Sequence, residues 1–190
     1  MLHNLDESAR QIFWGNLLLI VCCAFYLTWW LLAFRPENPI RGFRTGWLLL
    51  PAFAAGLAAV IVAARGLGAA GTPGLFPRGA LLWGGAIAYV LLLALTALWL
   101  RRPVTTELFL IVGWAVLALS EVSALGGSGA LTRPAALAFA GIGAVCALVS
   151  LLCYVLYYRL PPAAGYLDGT LPLLLAALVM AGIDLALLRR

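Results

Sequence analysis

Only 10% of the 190 residues are charged and 65% are hydrophobic, whereas a soluble domain carries about 25% charged residues to cover its surface. Mean hydropathy is +1.06 and the net charge of +5 comes from arginine without a single lysine. A soluble globular class is therefore excluded, and the basic balance points to lipid headgroups rather than nucleic acid.

The apolar residues gather in six stretches, over 13–34, 46–65, 80–100, 107–125, 134–157 and 170–188. Each is close to the ~20 residues that cross a ~30 Å hydrocarbon layer as a helix. In that layer only helices and closed barrels satisfy their own backbone groups, and none of the stretches alternates as a barrel strand does. The expected fold is an all-α integral membrane protein. It is a bundle of six transmembrane helices in one domain over 1–190, with no loop long enough to fold separately.

The first stretch follows Asp6 and Glu7 and ends in Trp29 and Trp30, so it does not read as a cleavable signal. Asn4 with Glu7 three residues later resembles a helix start, which places the beginning of helix one before the apolar run. Asn16 is a polar group near the start of that run.

The segment from Arg35 to Arg44 is the densest polar cluster of the chain. Arg35, Arg41 and Arg44, with Glu37 and Asn38, are candidates to clamp an anionic ligand or a lipid headgroup, and Pro36 and Pro39 would stiffen the donors. Ordinary headgroup anchoring explains the same residues. Arginine without lysine has two readings of its own: codon usage in a GC-rich genome, or a need for bidentate contacts.

Similar turns recur after helices three and five. Arg102-Pro103 and Arg159-Leu160-Pro161 each follow aromatic residues, as Arg35-Pro36 does, and 46–52 resembles 169–176. Three similar helical hairpins are one reading, with a pseudo-symmetric centre where transport sites lie; interfacial aromatics and helix-ending prolines are the plainer one. The other connections, 66–79 (GLGAAGTPGLFPRG) and 126–133 (GGSGALTR), read as flexible surface loops. Ala55, Gly56, Ala59, Gly84, Gly85, Gly141 and Gly143 let backbones approach closely, within a bundle or between subunits. The chain is thus expected to be a homo-oligomer or a subunit of a membrane complex.

Polar groups inside the apolar runs are few. Glu121 lies fourteen residues after Glu107, about 21 Å along helix four, and a carboxyl at such depth faces protein or water and suits a proton-linked step. Its bland reading is a side chain that snorkels or caps near the helix end. Alternate helix directions bring Asp184, Asn16, Trp14 and Trp83 to the same level, with Trp114 on the stripe of Glu121. The expected pathway or ligand-binding set is therefore Asn16, Trp83, Trp114, Glu121 and Asp184. The alternative is an interfacial aromatic belt with helix-end charges.

Tyr154, Tyr157 and Tyr158 read as interfacial belt, and Ser120, Ser123 and Ser150 as structural hydroxyls. Cys22, Cys23, Cys146 and Cys153 form no CxxC pair and read as small apolar groups. With His3 as the sole histidine, paired-His haem ligation and a His-based intramembrane zinc site are excluded. No metal or cofactor is expected, and no catalytic motif appears.

These features favour a permease, channel or substrate-binding transport subunit for a small solute. A non-catalytic subunit or scaffold is the alternative, and a lipid-handling enzyme acting on an anionic lipid is a third, with Glu121 or Glu37 as acid or base. The setting is the lipid bilayer of a bacterial inner membrane. Arginine divides evenly between the two faces, but its density over 35–44 favours that face as cytoplasmic and both termini outside.

Overall fold

The computed structural model describes residues 6–36, 43–98, 106–157 and 159–189. They form eight helices: α1 (Glu7–Ala33), α2 (Phe43–Gly46), α3 (Leu49–Ala69), α4 (Arg78–Leu98), α5 (Thr106–Gly127), α6 (Arg133–Leu156), α7 (Pro162–Asp168) and α8 (Leu171–Leu188). Six spans are long and apolar enough to cross a membrane, the last comprising α7 and α8 together. Large apolar side chains cover their outer surfaces, among them Leu50, Phe53, Leu98, Leu148 and Leu178. Such a surface suits hydrocarbon and fits a multi-pass membrane protein.

Local chemistry sets the helix ends. The Asp6 carboxylate accepts a hydrogen bond from the Ala9 amide at 2.8 Å, which starts α1 six residues before the apolar run. Asn4, the expected cap, lies outside the described residues. Thr132 caps α6 by accepting from the Ala135 amide at 3.4 Å, with Pro134 in the first turn.

The sixth expected helix, 170–188, is α8, and a short helix not expected from the sequence, α7, precedes it. Pro161 and Pro162 open the short α7, Gly169 ends it, and α8 begins at Leu171. Indole Nε1 of Trp30 donates to the Tyr166 carbonyl at 3.2 Å, and the Tyr166 hydroxyl donates to the Leu31 carbonyl at 3.0 Å. These reciprocal bonds fasten α7 to the end of α1. A side chain at Gly169 would run into the Trp30 ring, so α7 ends where only glycine lets the two elements meet.

Helices α1, α5, α6 and α8 make the centre, with α3 against the outside of α1 and α4 against the outside of α5. The three chain hairpins each pack internally, but unequally. Between α1 and α3 the seam is built from Gly15, Ala59, Ala63 and Gly66. Helix α4 rests on α5, where Gly85 admits Val116, and Thr96 is its one buried residue among those described. Of the expected close-packing glycines, Gly56 and Gly85 face a neighbour, whereas Gly84 and Gly141 face open space.

The 66–79 connection is not the loose loop its composition predicts. Ser123 of α5 accepts from the Phe76 amide at 2.8 Å, and its carbonyl accepts from the Leu75 amide at 3.1 Å. Arg78 donates to the Ala70 carbonyl at 2.9 Å. Leu75 and Phe76 pack onto the main core. In the second connection Gly129 takes a left-handed φ of +77°, and the Leu131 amide returns to the Leu125 carbonyl at 2.9 Å. Both segments are folded against the bundle because buried backbone groups need partners.

Candidate functional site

Two polar features occupy the interior, one above the other along α5. The inner one joins Asn16 of α1, Glu121 of α5 and Asp184 of α8. Asn16 and Glu121 are 0% exposed and Asp184 is 6% exposed. Asn16 lies on the buried stripe of α1 that runs through Ala9, Ile12 and Cys23, a spacing that keeps side chains on one helix face. Close approach of Gly15 to Ala63 holds that face inward, and Ile12, Ala118, Val122, Met180 and Ile183 supply apolar walls.

Asn16 Nδ2 donates to Asp184 Oδ1 at 3.0 Å. The Glu121 carboxyl stands beside both and within reach of the Asn16 side chain, yet neither of its oxygens makes a hydrogen bond of good geometry, and Asn16 Oδ1 makes none. Two carboxyls and an amide oxygen thus converge with three acceptor atoms unserved. Buried acceptors without donors are costly. A proton or a small cation at this point serves several of them at once. Asn16→Ala removes the donor to Asp184 and should lower stability by about 1–3 kcal/mol, read as a fall in the detergent unfolding midpoint.

Of the expected set, Asn16, Glu121 and Asp184 come together, and the snorkelling alternative for Glu121 does not hold because its side chain is wholly enclosed. Trp83 is corrected. It is 73% exposed on the outer face of α4, which meets the bundle through α5. Counting residues along helices gives depth in the membrane but not direction around the axis, and Trp83 shares only the depth. Trp14, half-exposed, faces outward for the same reason.

Trp114 is buried, but it borders the second feature, a cavity of about 180 Å³. This cavity lies toward the end of the bundle where α1 and α6 finish and α5 begins. Its walls include Tyr26 and Trp30 of α1, Glu107 and Trp114 of α5, Tyr154 and Tyr157 of α6, and Asp168 of α7. Glu107 Oε2 and Trp114 Nε1 are buried without a partner. Cys153, buried, lies against Asp168.

Glu107 and Asp168 were not legible as site residues. An acid in the first turn of a helix complements the helix dipole, and that ordinary role hides Glu107. Asp168 stands at the end of an unpredicted short helix. The one available signal was that carboxyls are scarce throughout this chain. Tyr154 and Tyr157, expected in an interfacial belt, turn partly inward to the cavity.

The arginine cluster gives no assembled clamp. Arg35 is exposed beyond the end of α1 and Arg44 falls in α2. Glu37, Asn38 and Arg41 lie outside the described residues. Glu121 cannot act on a headgroup held there, because Asn16 beside it is nineteen residues from Arg35, about 28 Å along α1. Among the described residues no three His, Cys, Asp or Glu side chains gather as a metal site. Ser120 and Ser150 bond carbonyls of their own helices at 2.7 and 2.8 Å, while Ser123 ties α5 to the 66–79 connection. All four cysteines are free.

The chain matches no protein-family profile, no curated protein and no solved structure.

Proposed function

We propose that this protein is a small permease, taking up a solute in the aromatic cavity and coupling its passage to the buried group of Asn16, Glu121 and Asp184. The observation that carries the reading is the stack along α5. Trp114 borders the cavity, and Glu121 lies seven residues further on, about 10 Å deeper. Intramembrane carboxyls without partners are expensive to keep and mark ion or substrate routes. A purely structural bundle gains nothing from two such features in line.

Reconstituted vesicles provide the test. Wild-type protein should raise the flux of at least one member of a panel of small cationic, neutral and anionic solutes above that of empty vesicles. Ala176 is a buried residue of the cavity wall, so Ala176→Phe should fill the space and return the flux to the empty-vesicle rate. Equal flux with and without protein across the whole panel sinks the reading.

A second reading, a membrane subunit that assembles a complex, is favoured by α4. Its Leu82, Trp83, Ile87, Val90 and Leu91 are all exposed, and it touches the bundle through α5. Transport and assembly are compatible if α4 is the face offered to another subunit. We favour the inner membrane as the setting, with the 35–44 face toward the cytoplasm.

A further inference from the structure

The walls of the cavity carry two kinds of chemistry. The first is aromatic: Tyr26, Trp30, Trp114, Tyr154 and Tyr157 surround it. Ring faces attract cations, most strongly where water is scarce. The second is polar: Glu107, Asp168 and Trp114 line the wall, with Oε2 of Glu107 and Nε1 of Trp114 buried without a partner and the Asp168 carboxyl lying against Cys153. Trp114 is only 9% exposed, and a buried indole N–H without an acceptor is costly. Among the described residues, none in the lining is arginine or histidine.

We propose that the cavity binds a small protonated primary amine that also carries one oxygen acceptor, such as a hydroxyl. The assignment rests on reading the cavity as a solute site. Carboxylate oxygens only accept, so they call for N–H donors, and a primary ammonium offers three. A quaternary ammonium offers none. An anion meets two carboxyls and, among the described lining residues, no arginine or histidine. The indole N–H only donates, and the ligand's oxygen is what it lacks. Size agrees: a cavity of about 150 Å³ admits benzene, and this one, at about 180 Å³, admits a ring with a short polar arm.

The probe is 2-amino-1-phenylethanol, titrated against the purified full chain in detergent by calorimetry. It should bind at least about tenfold more tightly than 2-phenylethanol, which lacks the charge, as a charge-assisted hydrogen bond implies. 3-Phenylpropionate should not bind. Glu107→Gln and Asp168→Asn keep the shape and should each weaken the amine by about tenfold. Trp114→Phe should weaken 2-amino-1-phenylethanol while leaving 2-phenylethylamine, which has no hydroxyl, nearly unchanged. That contrast cannot arise from misfolding.

Equal binding of amine and neutral alcohol, or wild-type binding by both carboxyl variants, overturns the assignment, as does the absence of amine binding by folded protein. An amine that binds while neither it nor any other panel solute crosses vesicles leaves the assignment standing and removes the permease. Flux of an anion in place of the amine does the reverse.

Discussion

Glu121→Gln is expected to abolish most transport while leaving the fold intact. The two side chains have the same shape, and glutamine introduces an N–H donor within reach of the unserved Asn16 oxygen. Removing an unpaired buried acid while adding a hydrogen bond should hold or raise the unfolding midpoint. Transport should nevertheless fall by about 10²-fold, the lower end of what a positioned proton-transfer group contributes. The amide cannot take up or release a proton, and it cannot balance a cation. Flux in reconstituted vesicles and the detergent unfolding midpoint are measured on the same preparation. Undiminished flux in both Glu121→Gln and Asp184→Asn removes the coupling role of the buried group.

Gly15→Leu should damage stability severely. A Cβ at Gly15 would stand 2.9 Å from Ala63 Cβ, 3.0 Å from Ala63 N and 3.2 Å from Ala63 Cα. Two of those atoms are backbone, so no rotamer change relieves the contact and α1 must move away from α3. Helices in lipid associate through close packing rather than hydrophobic exclusion, so a lost seam is not recovered elsewhere. Overpacking of this kind costs about 3 kcal/mol. The better helix propensity of leucine returns only about 0.8 kcal/mol, so the clash wins. Gly141→Leu is the control: that position faces open space, and the same propensity gain should leave its unfolding midpoint unchanged or higher. Equal midpoints for the two variants would show that the α1–α3 seam is not closely packed.

Length and hydropathy are enough to read the six spans, because the bilayer imposes one dimension on every helix. The short helix α7 escaped because Pro161, Pro162 and Gly169 resemble an ordinary turn until Trp30 is seen packed against Gly169. Asn16, Glu121 and Asp184 were legible as a group because alternating helices bring equal depths together. Trp83 had the same depth and failed, since rotation about a helix axis depends on neighbours that a uniformly apolar stripe does not reveal. Glu107 and Asp168 were hidden by position: acids near helix ends are common for reasons unrelated to ligands. The 66–79 connection was misjudged because its many glycines suggested freedom, whereas Gly74 within it and Gly127 at the end of α5 let it lie directly on the helix carrying Ser123.

That seating makes the two ends of the molecule unequal. Glycine gives up more conformational freedom on ordering than any other residue, so holding this strap down draws on the Leu75 and Phe76 bonds to Ser123, two residues from Glu121. The end of the bundle just beneath the buried acids is therefore laced shut, while the cavity beside Glu107 and Asp168 lies toward the other end. On the proposed permease reading a solute must undo this lacing, and Ser123 is the knot.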